Sequence, residues 1–142
     1  MMETEKIENK PIKDIAPYKE SAAIKDLGFD EPCFGYYNGQ GNYIGEEGKT
    51  NSNCNKLGMH GAYCTAPTFS QSFRFFREKY NLFCQIQIDR TTEPKFCFNV
   101  FQYEYFGNYE EIRIAEWYLY RTPEEAELAC LRLLIETVNR KA

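Results

Sequence analysis

The residues best suited to chemistry lie in the stretch NSNCNKLGMHGAYCTAPT (51–68), where the single histidine of the chain, His60, stands between Cys54 and Cys64. Thiolate and imidazole are preferred zinc ligands, and a cysteine activated by a nearby imidazole is a common nucleophile. The spacing Cys54-x5-His60-x3-Cys64 lacks the C-x2-C knuckle of recognisable zinc sites, and a closed site would need a fourth ligand such as Cys33 or a carboxylate. A small zinc- or thiol-dependent enzyme built on Cys54, His60 and Cys64 is therefore the secondary reading, behind a glycine-rich connector. No cofactor and no convergent catalytic set is expected. The runs GQGNYIGEEGKT and GMHG contain glycines but neither a G-x-x-x-x-G-K-[ST] loop nor a strand followed by G-x-G-x-x-G.

A second chemistry is base stacking on an aromatic sheet, suggested by FCFNVFQYEYF (96–106) with Arg74, Arg77, Lys79, Arg90 and Lys95 close by in sequence. Glu78, Asp89 and Glu93 dilute that basic group, and a net charge of −4 with a pI near 5.2 supplies no general attraction to phosphates. Single-stranded nucleic acid is accordingly a further alternative rather than the main expectation.

These residues need elements to position them. The polar residues 1–15 read as a flexible tail, followed by a single domain over 16–142. In PYKESAAIKDLGFDE, Ala23, Ile24 and Leu27 recur at helical spacing, and Gly28 followed by Phe29 suits a left-handed C-cap with its hydrophobic contact. CFGYYNGQGNYIG reads as a short hairpin turning at Gly39–Gly41. TFSQSFRFFREKY is a helix with a Thr68/Gln71 capping box and an apolar stripe of Phe69, Phe73, Phe76 and Tyr80. LFCQIQI alternates as a strand with one buried face does. In TPEEAELACLRLLIETVNRK, Thr122 caps, Pro123 starts and Glu125 completes a second capping box. Leu128, Leu131, Leu134, Ile135 and Val138 should then pack on the sheet.

The segment KFCFNVFQYEYFGNYEEIRIAEWYLY (95–120) is the most informative. A two-residue turn at Gly107–Asn108 would pair Phe98 with Trp117 and Val100 with Ala115 on one face, then Phe101 with Ile114 and Tyr103 with Ile112 on the other. With Ile88 beside Phe96 and Ile86 beside Phe98, the preceding strand would run out near Val100 and leave a two-stranded arm. Burying an aromatic or aliphatic side chain contributes about 1.5–3 kcal/mol, so Phe101, Tyr103, Ile112 and Ile114 call for a cover. The N-terminal hairpin, with Tyr36, Tyr37 and Tyr43, is one candidate; a second polypeptide makes the four residues an interaction surface.

The chain has 142 residues, six cysteines and 16% aromatic residues. No stretch has the apolar length of a signal peptide or membrane span, so a soluble protein with free thiols and no membrane contact is expected. LGFDEPCFGYYN (27–38), TAPTFSQSFRFFREKY (65–80) and EEAELACLRLLIETV (124–138) together resemble small uncharacterised proteins encoded by phages and prophages of gut bacteria. That resemblance implies a mobile-element origin and the cytoplasm of a bacterial host cell, and carries no activity, cofactor or catalytic residue. The combined expectation is a single α+β domain: an N-terminal helix and short β-hairpin, a central helix, a three-stranded antiparallel β-meander and a packed C-terminal helix. Its expected role is that of a phage or prophage accessory protein acting by macromolecular binding, its partner an unknown host or phage protein or a second copy as a homodimer.

Overall fold

A computed structural model of the chain describes residues 14–45, 53, 55, 61–89, 95–103, 109–111 and 119–141. The fold is α+β, and the chain divides between Thr68 and Phe69 into two compact units. Among the described residues, each unit has one three-stranded antiparallel sheet.

In the first unit, α1 (Tyr18–Asp26) ends as its sequence predicts. Gly28 takes φ 100°, its N–H donates to Lys25 O at 2.9 Å, and the Phe29 N–H donates to Ile24 O at 3.2 Å. These are the two bonds of a Schellman cap, and Phe29 and Ile24, both fully buried, supply the apolar contact that accompanies it. Strands β1 (Gly35–Asn38) and β2 (Tyr43–Gly45) form the expected hairpin, and the Asn38 side-chain oxygen accepts from the backbone N–H groups of Gln40 and Asn42. Gly35 is required by close approach, because a Cβ there would sit 2.6 Å from the Tyr43 ring.

The hairpin is completed by a third strand, β3 (Ala62–Thr65), which pairs antiparallel with β1 and sets Tyr37 beside Cys64. The expectation of a bare hairpin followed by a loop is thus corrected: AYCT buries Cys64 and Thr65 by pairing with a strand far away in sequence. Ile15 belongs to this unit's core rather than to the polar N-terminal stretch. It bridges to Thr68 and packs in one cluster with Tyr37, Cys64 and Ala66.

In the second unit, α2 (Phe69–Tyr80) buries Phe69, Ser72, Phe75 and Phe76. The buried face is rotated from the expected stripe, so that Phe75 is covered and Phe73 only half so. Phe75 meets both Phe76 and Tyr80 edge-on, which lets adjacent aromatics share one side of the helix. Asn81, at φ 54°, turns the chain into β4 (Leu82–Asp89), which pairs along its whole length with β5 (Lys95–Tyr103). Ile88 stands opposite Phe96 and Ile86 opposite Phe98, the expected pairing, although Ile88 is exposed rather than on a buried face.

Two features of the expected meander are corrected. β4 does not stop near Val100: it continues to the Leu82–Gln102 rung, so Phe101 lies in the middle strand of a sheet rather than in a two-stranded arm. β6 (Tyr109–Glu111) pairs Tyr103 with Tyr109 and Phe101 with Glu111, not with Ile112 and Ile114. The shift is three residues, and an odd shift exchanges the two faces of a strand. Further along, Phe96 and Tyr120 exchange both backbone hydrogen bonds, at 2.8 and 2.7 Å. Trp117, Ala115, Ile112 and Ile114 lie outside the described residues.

The C-terminal helix α3 (Pro123–Lys141) starts on Thr122, whose hydroxyl accepts from the Glu125 N–H at 3.1 Å, while the Glu125 carboxylate reaches back to the Arg121 N–H. Its buried stripe runs through Ala126, Cys130, Leu131, Leu134 and Ile135, with Leu128 and Val138 at the margins. Val100 and Leu82 on the sheet are buried beside it. Among the described residues no helix is long and apolar enough to cross a membrane.

Candidate functional site

Strand periodicity divides β4 and β5 into two faces. Leu82, Cys84, Phe98 and Val100 share the face that α3 covers, for the helix packs on both strands and Leu82, Phe98 and Val100 are buried. Phe83, Phe101 and Tyr103 share the opposite face, with Phe83 directly across from Phe101 and diagonal to Tyr103. The Phe83 and Tyr103 rings lie 5.6 Å apart, tilted by 57°, an ordinary aromatic contact geometry. Both are nonetheless exposed, Phe83 at 36% and Tyr103 at 47%, and Phe101 between them is half-buried. The rest of the face on β4 is polar, with Gln85, Gln87 and Asp89 succeeding one another. The result is a compact aromatic patch flanked on β4 by Gln85 and Gln87.

Phe101 and Tyr103 are thus brought together, with Phe83 as a partner the sequence analysis did not single out. Its signal was present in LFCQIQI: Phe83 is the one large apolar residue on the polar side of that alternation. Ile112 and Ile114 fall outside the described residues, and the rungs opposite Tyr103 and Phe101 are held by Tyr109 and Glu111.

Of the suggested zinc or thiol site, only Cys64 is described; Cys54 and His60 lie outside the described residues. Cys64 sits on β3 with its side chain in the apolar cluster of Ile15, Tyr37 and Ala66, fully buried. A thiol so placed is a small hydrophobe. What anchors the loop is a pair of asparagines. Asn53 donates to Asp30 O, and Asn55 donates to Phe29 O at 2.9 Å and Thr65 Oγ1 at 2.7 Å while accepting from the Thr65 N–H at 3.0 Å. Cys33, the suggested fourth ligand, is buried. Among the described residues no three His, Cys, Asp or Glu side chains gather as a metal site.

The basic residues near the aromatic strands are dispersed among other roles. Arg74 and Arg77 are exposed on α2, and the Lys79 ammonium lies 5.5 Å from the centres of both the Phe75 and Tyr80 rings. Phe98 is buried and stacks on Tyr120 at 6.2 Å, which removes it from any base-stacking platform.

Beside Tyr37, burial pushes the phenol well above the usual tyrosine range, with Cys64, Tyr43 and Glu20 adding to the effect. Its hydroxyl donates to Ala16 O at 2.6 Å, the same carbonyl that accepts from Ser21 Oγ at 3.0 Å. This is a structural tie between β1 and the entry to α1. In comparisons with known proteins, no family model, no curated protein and no solved structure matches the chain.

Proposed function

We propose that the chain is a binding protein rather than an enzyme, an accessory protein of a phage or prophage that engages another macromolecule through the Phe83–Phe101–Tyr103 face of its second sheet. The observation that carries this reading is the exposed Phe83–Tyr103 pair on the side of the sheet away from α3. Large aromatics anchor interfaces because each offers much contact area while fixing few torsions, and amides around them hydrogen-bond without the desolvation cost of charges. The mobile-element origin is supported by the resemblance of residues 27–38, 65–80 and 124–138 to small phage and prophage proteins.

A second copy of the chain is the first partner to test. Among the described residues β4 forms one edge of its sheet, and Gln85 and Gln87 along it carry no charge to repel an identical edge, the one charge, Asp89, lying at the strand's end. Size-exclusion chromatography with light scattering on the wild type, Phe83→Glu and Tyr103→Glu reads this out. A wild-type dimer that both variants convert to monomer supports self-association through the patch. Dimers in all three contradict the patch as the contact, and monomers in all three remove the homodimer and leave a heterologous partner.

A further inference from the structure

One side of β4 carries backbone groups that its own sheet does not use. The Tyr103 N–H donates to Asn81 O at 2.9 Å, and residues that bond across an antiparallel ladder recur at every second position. In the β4–β5 register the bonded rungs that follow are Phe83 with Phe101, Gln85 with Asn99 and Gln87 with Cys97. The far end of the strand has the same phase. Phe96 directs both its backbone bonds to Tyr120, so Ile88 opposite it receives neither. The N–H and C=O groups of Leu82, Cys84, Ile86 and Ile88 therefore point away from β5, and among the described residues no strand lies on that side. Folded chains blunt such an edge with charges, proline, a bulge or a short strand. β4 has eight residues in unbroken register with β5, no proline, and no charge before Asp89. Ile88, at the end of the apolar row, is 55% exposed.

We propose that β4 pairs antiparallel with β4 of a second copy of the chain, about a two-fold axis at Gln85, joining the two sheets into one. What selects this occupant and this register is the strand sequence LFCQIQI, which complements itself when reversed. Leu82 stands opposite Ile88 of the second copy, Cys84 opposite Ile86, Phe83 opposite Gln87, and Gln85 opposite its own counterpart. The rungs that join the outward backbone groups are thus apolar with apolar, and amide meets amide on the axis. No rung from Leu82 to Ile88 carries a charge, and the Asp89 carboxylates stay outside the paired stretch. The exposed Ile88 side chain gains an aliphatic neighbour across the join. A two-fold contact is also closed, so assembly ends at the dimer. The inference rests on the reading of the chain as a binding protein and places self-association at the strand edge. Directly opposed residues project from one side of a sheet, so the Phe83–Phe101–Tyr103 faces of both copies lie on the same side and remain open to a different macromolecule.

Light scattering on the full chain, with substitutions at the exposed Gln85, tests this. The wild type is expected to run at the mass of a dimer. Gln85→Lys sets two ammonium groups against each other on the axis, and Gln85→Glu two carboxylates, so each alone is expected to run as a monomer. An equal mixture of the two variants is expected to return the dimer, which a fault in folding would not do. Tyr103→Glu, a change on the aromatic face away from the edge, is expected to stay dimeric. Under a mild oxidant, Gln85→Cys is expected to form a disulfide between copies at residue 85, since opposed residues that do not hydrogen-bond bring their Cα atoms to about 4.5 Å. A wild-type monomer, a dimer that survives Gln85→Lys, or a Lys and Glu mixture that stays monomeric overturns the pairing. So does a dimer lost in Tyr103→Glu, which would move the contact to the aromatic face. Loss of a heterologous partner in Tyr103→Glu with the dimer intact supports both the edge contact and the separate role of that face.

Discussion

At the scale of single residues, the first unit is held by polar ties as much as by its apolar core. Asn55 uses both ends of its amide, binding Phe29 O, Thr65 Oγ1 and the Thr65 N–H. Asn55→Ala strands a buried N–H and is expected to cost about 1–3 kcal/mol in urea denaturation, the usual penalty for an orphaned buried group. Tyr37 gives a pH signature. Its phenol keeps its proton in the fold beyond the ordinary value of about 10, so above that pH the unfolded chain ionises first and stability falls as pH rises. Below that pH the contribution is fully present. Tyr37→Phe is expected to flatten the alkaline decline measured by denaturation between pH 9 and 11, each pH bracketing about the tyrosine value. None of these ties was legible beforehand, since an asparagine in a loop shows nothing of the strand it will reach.

At the scale of elements, legibility followed locality. The Gly28–Phe29 cap, the Thr122–Glu125 start of α3 and the pairing of Ile88 with Phe96 were all readable, because each is decided by residues a few positions apart or by strict alternation. β3 was not, because four residues in a Gly- and Asn-rich stretch become a strand only through β1, more than twenty positions away. The β5–β6 register was misread for a related reason. Gly107–Asn108 has the composition of a two-residue turn, yet turn residues fix a register only when the strands close there, and Tyr103 pairs with Tyr109 instead. The caps provide the sharpest tests at this scale. Gly28→Ala puts a Cβ at φ 100° and is expected to lower stability by about 1–2 kcal/mol, against about 1 kcal/mol for Thr122→Ala, both from denaturant midpoints at unchanged slope. Leu134→Ala, on the buried face of α3, is expected to cost about 2–5 kcal/mol by cavity formation.

At the scale of the whole molecule, two units each bury one side of a small antiparallel sheet, and in the second unit the other side presents an aromatic patch. The sequence analysis expected apolar residues in this segment that need a cover, from the N-terminal hairpin or from a second polypeptide, and named Phe101 and Tyr103 among them. It reached them through a register in which Ile112 and Ile114 were their partners, and the structure reaches them through Phe83. The reading as a binding protein rests on that patch, and one comparison tests it most directly. Wild type and a Phe83→Ser/Tyr103→Ser variant, matched in circular dichroism and melting temperature, are immobilised and challenged with lysate of a gut bacterium, and the retained macromolecules are quantified side by side. The account predicts at least one species held stoichiometrically by the wild type and lost from the variant. A wild-type surface that retains nothing the variant does not would contradict it.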